Sequence, residues 1–159
     1  MKSIRSLILG LAAIAAISLA APLSAAPEGM VVTPTKHSYQ ELIDRLDEAA
    51  AKHKMGIVSR ASATIGAKKV LDKTIPGNMV VGVYHPRFAV RMLEASIPAG
   101  IEAPIRFYIT ENEDGTATLR YRKPSAVFAP YDDGGEALDK LAAELDEVFA
   151  AIAADATGM

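Results

Sequence analysis

The sequence has no cysteine and no tryptophan, and only 6% of its residues are aromatic. Without cysteine the chain cannot form a disulfide scaffold, a thiolate zinc site, an iron–sulfur cluster or a c-type haem attachment, and it has no cysteine nucleophile. It also has no excess of basic residues, since its formal net charge is −2. Nucleic-acid-binding domains normally have such an excess, so the composition argues against a nucleic-acid partner.

Motifs of the common enzyme classes are missing as well. The chain has no Gly-x-Ser-x-Gly nucleophile elbow and no glycine-rich phosphate loop. Its carboxylate pairs, Glu111/Glu113 and Asp132/Asp133, fall at a predicted turn and just before a predicted helix, where solvation and N-terminal capping account for them. We therefore expect no cofactor, and the sequence favours a protein that is not an enzyme.

The first 25 residues have the pattern of a secretory signal peptide. Two basic residues precede an apolar run over 7–21, and Pro22 with small residues follows the run. A retained membrane anchor is the weaker alternative, because the run falls short of the roughly 20 apolar residues that a spanning helix needs. We expect cleavage after Ala25. The mature domain, 26–159, then has a net charge of −4, lies in the periplasm or outside the cell, and has no stable membrane anchor.

Hydrophobic periodicity predicts the element order β-α-β-β-α-β-β-α in the mature chain. A Ser38/Glu41 capping box and a 3.6-residue apolar period predict a helix over 38–55. The strongest strand signal is a hairpin, because residues on both sides of Asp114-Gly115 alternate between apolar and polar. The remaining predicted elements are strands at 30–35, 57–63 and 79–84, hairpin strands at 105–110 and 117–122, a helix that starts at Pro86 and a helix over 135–154.

The predicted fold is an α+β two-layer sandwich with a mainly antiparallel sheet and helices on one face. An Asp-Gly hairpin requires antiparallel pairing, and strands that are apolar on one side only indicate that helices cover that side. The second predicted helix is expected to pack through one face. That face comprises Ala89, Met92, Leu93, Ser96 and Ile97.

Several short motifs occur in an order and spacing typical of a known bacterial family. They are Lys54-Met55-Gly56 after the first helix, the strand that runs into Pro86, Ala103-Pro104 before the hairpin, Asp114-Gly115 in its turn and Tyr121-Arg122-Lys123-Pro124 after it. In these motifs the chain resembles the family called domain of unknown function 302, over about residues 29–131. The resemblance implies an α+β fold with an antiparallel sheet, homodimers and no established reaction.

His85 is the first candidate for a binding residue. It follows a predicted buried strand, precedes a helix and has Tyr84 and Arg87 as neighbours, and functional groups are often found at such strand ends. One interpretation is a hydrogen-bonded turn histidine. The other is a ligand for a metal ion or haem, with methionines as soft partners, although no second ligand stands at a metal-site spacing. These methionines are Met55, Met79 and Met92, which core packing also explains.

The second candidate is a polar face on the predicted hairpin. Period-two alternation places Arg106, Tyr108, Arg120 and Arg122 on the side opposite the apolar one. Solvent, an anionic small ligand or a second subunit would each explain such a face. The acidic segment 132–159, with a net charge of −7, is a further candidate to cover the arginines, within one chain or across a homodimer.

The sequence therefore predicts an exported, single-domain α+β protein that acts as a small binding or assembly module and forms homodimers. The alternative is a periplasmic metal- or haem-binding protein that uses His85.

Overall fold

The structure is a computed structural model that describes residues 26–159, so the predicted signal segment lies outside the described residues. The strands are β1 (Met30–Ser38), β2 (Gly56–Ala61), β3 (Asn78–Tyr84), β4 (Ile105–Glu111) and β5 (Thr116–Arg122). The helices are α1 (Tyr39–Lys52), α2 (Ala63–Leu71), α3 (Pro86–Ala95), α4 (Pro124–Phe128) and α5 (Gly135–Thr157), with 3₁₀ turns at Pro98–Glu102 and Asp132–Gly134.

The strands form one antiparallel sheet in the order β1-β5-β4-β3-β2. Helices α1 and α5 pack against each other and against one face of this sheet, and α3 and α4 pack against α5. The predicted fold class, an α+β sandwich with an antiparallel sheet, is thereby confirmed. The predicted Asp114-Gly115 turn joins β4 to β5, with Gly115 at a φ of 80° that favours glycine.

The structure adds two short helices to the predicted elements, α2 and α4. None of the α2 residues is buried, so the helix leaves no apolar periodicity in the sequence. It begins where the Ser62 hydroxyl accepts a hydrogen bond from the Ile65 backbone N–H. Helix α4 has only five residues and starts at Pro124, which is too short for a periodic signal.

The start and the end of α1 differ in detail from the prediction. The Ser38 hydroxyl accepts from the Glu41 backbone N–H, but the Glu41 carboxylate pairs with the His37 ring, 2.7 Å away. The capping box is therefore only half formed. After α1 the left-handed residue is Lys54, with a φ of 59°, and Gly56 already begins β2.

The predicted buried face of α3 is only partly buried. Ala89, Met92 and Ser96 are buried, whereas Leu93 and Ile97 are exposed. The prediction was wrong for these two residues, and for Ile97 the reason is that α3 ends at Ala95. Beyond that point the chain turns into the 3₁₀ segment, and the helical period no longer decides which side Ile97 faces.

Helix α1 holds the end of α5 through charged hydrogen bonds. Arg45 donates to the Asp155 and Ala156 carbonyls, at 3.0 and 2.6 Å, and so satisfies acceptors that the helix end leaves open. The Asp155 carboxylate contacts Lys52 Nζ at 2.9 Å and His53 Nε2 at 2.6 Å. Hydrogen bonds from Lys52 and then from His53 lower the pKa of Asp155.

This cluster predicts an acid-sensitive component of stability. A lowered native pKa means that Asp155 stabilises the fold above the ordinary aspartate pKa of about 4, and that this contribution is lost as the pH falls below it. We expect the melting temperature of Asp155→Asn to fall less between pH 6 and pH 3 than that of the wild type. Thermal unfolding followed by circular dichroism measures the difference. Asp139→Asn, an exposed α5 residue outside the ion pairs of the described chain, should behave like the wild type; equal behaviour of both variants would contradict the assignment.

Candidate functional site

The sheet face opposite α1 and α5, called the open face here, presents a row of side chains that crosses all five strands. Val32 pairs with Arg120, Arg120 with Tyr108, Tyr108 with Val80, and Val80 with Ala61. Neighbouring strands lie about 4.8 Å apart, so each residue of the row can touch the next. The row has the arginine and the tyrosine at its centre and apolar residues at its two ends.

A second row brings the remaining arginines next to the first. Arg122 pairs with Met30, and Arg106 pairs with Gly82. A Cβ on Gly82 would lie 2.7 Å from the Pro104 ring, so Pro104 packs closely on this glycine. Arg106, Tyr108, Arg120 and Arg122 are therefore together on the open face, as the alternation of the hairpin predicts.

These side chains border a groove of about 290 Å³. The groove has two kinds of wall. Its polar wall consists of Arg106, Arg120, Arg122 and Glu102, and its apolar wall consists of Met30, Val80, Ile105, Tyr108, Tyr121 and Val127. A volume near 300 Å³ is at the small end of the range for ligand pockets, and mostly apolar walls with a few converging polar groups are typical of such pockets.

The guanidinium groups on the open face have no ionic partner in the described chain. Arg120 donates to the Thr110 hydroxyl and Arg122 to the Ala126 carbonyl, but none of the ion pairs between residues 26 and 159 includes Arg106, Arg120 or Arg122. Each anchored guanidinium still has unused N–H donors, because the group carries five. Like charges at this spacing repel one another unless an anion lies between them.

The acidic residue of the groove wall is turned toward another partner. The Glu102 carboxylate accepts a hydrogen bond from the Tyr131 hydroxyl, 2.8 Å away. This hydrogen bond, together with burial, raises the pKa of Tyr131, so the tyrosine remains the donor over the physiological range. Glu102 therefore lines the groove but forms no ion pair with its arginines among residues 26–159.

The acidic last helix does not cover the arginines within the chain. Helix α5 packs on the opposite face of the sheet, and its carboxylates pair with the other helices: Glu144 with Arg91, Asp155 with Lys52 and His53. The intramolecular version of the predicted cover is therefore wrong. The apolar stripe of α5 must be buried against the sheet, and this burial outweighs the attraction between exposed charges.

His85, Tyr84 and Arg87 all lie away from the groove of the open face, which is called the arginine groove here. His85 is the N-cap of α3, and its Nδ1 accepts a hydrogen bond from the Arg87 backbone N–H at 3.1 Å. Its ring edge meets Phe88 in an apolar crevice of about 30 Å³. The geometry is that of a hydrogen-bonded turn histidine. No group of three or more His, Asp or Glu side chains within 26–159 could hold a metal ion.

A second surface was not anticipated from the sequence. It is a strip of four large apolar residues on α3 and the following 3₁₀ turn, called the apolar strip here, and Ile97 and Ile101 in it are 77% and 81% exposed. The turn folds back on the helix, because a Cβ on Gly100 would lie 3.0 Å from Leu93 Cδ2. The strip consists of Val90, Leu93, Ile97 and Ile101.

Sequence reasoning also missed the apolar wall of the groove. Strand β3 is apolar on both faces, so its pattern does not show that Val80 faces the groove. Val127 belongs to α4, which has no periodic signal. The strand register is what assigns Val80 to the groove, because in an antiparallel sheet the residue that pairs with Tyr108 lies on the same face as Tyr108.

Comparison with known proteins agrees with this fold. The family model described as "Domain of unknown function DUF302" matches residues 31–152, which includes most of α5. A crystal structure of an uncharacterized conserved DUF302 protein from Bacillus stearothermophilus is similar to the chain at a TM-score of 0.70 and 20% identity, and the match covers 79% of this chain and 95% of that one. No curated protein matches the chain.

Proposed function

The chain belongs to the DUF302 family, and we propose that it is an exported, homodimeric binding module. The observation that supports the dimer is the apolar strip. Apolar residues scattered singly over a surface are ordinary, but a contiguous exposed patch is typical of an interaction site. Val90 and Leu93 lie about one helical turn apart on α3, Ile97 directly precedes the 3₁₀ turn and Ile101 lies in it, and all four side chains are exposed.

The charges beside the strip suit a second copy of the same chain. Arg87 and Glu94 flank Val90 and Leu93 on α3, and neither forms an ion pair within the described residues. A two-fold axis near the middle of α3 would align two copies of the helix antiparallel. Arg87 of one copy would then lie beside Glu94 of the other, twice in each dimer, and Val90 of the two copies would meet close to the axis.

The arginines of the open face and the acidic α5 cannot form the same kind of contact. They lie on opposite layers of the sandwich, so pairing between them would join unlike surfaces of two copies. Such heterologous contacts stack molecules or build rings and do not close a two-fold dimer. The proposed dimer therefore uses the strip and leaves the open face of each copy available for ligands.

Export is proposed from the N-terminal sequence alone. The basic, apolar and small-residue regions of 1–25 match a cleavable signal peptide. Between residues 26 and 159, no helix combines the length and the apolar character that a membrane crossing requires. The mature module would then act as a separate domain in the periplasm or outside the cell.

Native mass spectrometry of the protein recovered from its own host tests both parts of the proposal. We expect a dimer of chains that begin at Ala26 and have the mass of bare polypeptide. A chain that keeps residues 1–25 would contradict the proposed cleavage. A monomer at micromolar concentration would contradict the proposed dimer.

Charge exchange tests the interface itself. Arg87→Glu places like charges side by side, so we expect it to raise the dimer dissociation constant about tenfold. The double variant Arg87→Glu/Glu94→Arg should restore dimerisation, because the pairs form again with reversed sign. Sedimentation-velocity runs over a concentration series measure both constants.

Val70→Glu is the matched control, since Val70 is also an exposed apolar helix residue but lies on α2, outside the strip. It should leave the dimer unchanged, whereas Leu93→Glu should abolish it. If the double variant dimerises no better than Arg87→Glu, or if Val70→Glu has the larger effect, the interface lies elsewhere.

A further inference from the structure

The arginine groove combines two properties that different classes of ligand would normally satisfy separately. Three arginines line it, and mainly aliphatic side chains line the rest of it on both sides of the arginines. An inorganic anion would satisfy the arginines but leave the apolar wall in contact with water. A neutral hydrocarbon would cover the apolar wall but leave the positive charges without a counter-ion.

We propose that this groove binds a carboxylate with a short unbranched hydrocarbon chain, of the size of octanoate. The inference rests on the binding role proposed above but not on the dimer. A groove of about 290 Å³ is at the small end of the range for ligand pockets, so a short chain such as that of octanoate suits it better than the chain of a long fatty acid.

The arginines would hold the carboxylate head. The planar fork of a guanidinium matches the two oxygens of a carboxylate and binds them through parallel hydrogen bonds. Arg120 and Arg122 are each held in place by one hydrogen bond to the protein, which reduces the entropy that is lost on binding. Arg106 makes no hydrogen bond with its side chain in the described chain and is exposed, so all of its donors are available.

The apolar wall would take the hydrocarbon chain. Val80 and Met30 lie on opposite sides of the arginines, on β3 and β1, and Val127 approaches from α4. Each methylene that leaves water for such a wall contributes about 0.8 kcal/mol, which corresponds to about a fourfold gain in affinity. The affinity should therefore rise with chain length until the groove is full.

A titration of the mature protein with matched ligands, followed by isothermal calorimetry and by amide chemical shifts, tests the inference. The probes are octanoate, acetate, inorganic phosphate and octanol. We expect octanoate to bind at least tenfold more tightly than each of the others. The amide shifts should concentrate on β3, β4 and β5.

Variants locate the site. Arg106→Gln and Arg122→Gln should each weaken octanoate binding about tenfold, since each removes a charged hydrogen bond. Lys140→Gln is the matched control, because Lys140 is also an exposed basic residue but lies on α5, in the opposite layer of the sandwich; the affinity of this variant should equal that of the wild type. Circular dichroism of each variant shows whether the fold is retained.

The outcomes separate this inference from the broader binding role. If phosphate or acetate binds as tightly as octanoate and Arg106→Gln abolishes binding, the open face is an anion site and the amphiphilic ligand is refuted. If octanol binds as tightly as octanoate, recognition of the head group is refuted. If no probe binds, both the amphiphilic ligand and the anion-binding role of this face are refuted, while the dimer is judged by its own measurement.

Discussion

Replacing Phe107 with alanine should lower the free energy of unfolding by about 3–5 kcal/mol. Phe107 is fully buried at the centre of β4. Its ring stacks on that of Phe149 in α5, with centroids 4.9 Å apart and planes 11° apart, and it meets the Tyr121 ring at 5.1 Å. The residue therefore joins the sheet to the last helix, and its removal leaves a cavity that rigid neighbours on both sides cannot fill.

The next residue along the strand provides the control. Tyr108 has a ring of nearly the same size, but it points to the open face and is 38% exposed. Tyr108→Ala should cost about 1 kcal/mol, because it creates no enclosed cavity. Urea unfolding followed by circular dichroism measures both variants. Similar losses for the two would show that the contact between Phe107 and Phe149 does not join the layers as described.

Gly29→Ala should destabilise the protein by about 2–4 kcal/mol, through backbone strain and a steric clash together. Gly29 has a φ of 72°, a conformation that side chains other than glycine rarely adopt. A Cβ at this position would lie 2.2 Å from the Ala126 Cβ of α4. The Gly29 carbonyl also accepts a hydrogen bond from the Lys123 backbone N–H, so the segment cannot move away without losing that bond.

Two variants separate strain from clash. Gly115 has a similar φ of 80°, but a Cβ added there would have open space around it, with no heavy atom within 4 Å. Gly115→Ala should therefore show only the strain, about 1 kcal/mol. In an Ala126→Gly background the clash is removed, and Gly29→Ala should then cost about as much as Gly115→Ala. Urea unfolding measures the free energy of unfolding of the wild type, of each single variant and of the Gly29→Ala/Ala126→Gly double variant, which together form a double-mutant cycle. An undiminished cost in the Ala126→Gly background would mean that α4 does not dock on Gly29.

Several features of the fold follow from residue types alone because they depend on near neighbours. The Asp114-Gly115 turn and the alternation on both sides of it specify the hairpin, and this alternation alone places Arg106 and Arg120 on the same face. Pro86 at the first position of α3 and the hydroxyl of Ser38 at the start of α1 are local as well. In each case the interaction spans only a few residues of the chain, so the residue types identify it.

Other features arise only when distant segments meet. The partners that make Val80 a wall of the groove lie on β2 and β4, and a strand that is apolar throughout does not show which of its residues face outward. The exposure of Ile97 depends on where α3 stops and on the turn that follows it. These features result from packing between segments, so the hydrophobic pattern of a single segment does not show them.

The position of α5 shows the physical reason most directly. Its charge suggests that it would cover the arginines of the hairpin, whereas its apolar stripe requires a hydrophobic surface. Burial of a large apolar side chain contributes about 1.5–3 kcal/mol, and an exposed ion pair contributes about 0–1 kcal/mol. The helix therefore packs through Phe149 and Ile152 on the apolar face of the sheet. Local order along the chain specifies most of the helices and strands and the two faces of the hairpin. That the acidic α5 packs on the apolar face and does not cover the arginines is settled by long-range burial, and this leaves the arginines exposed around a groove.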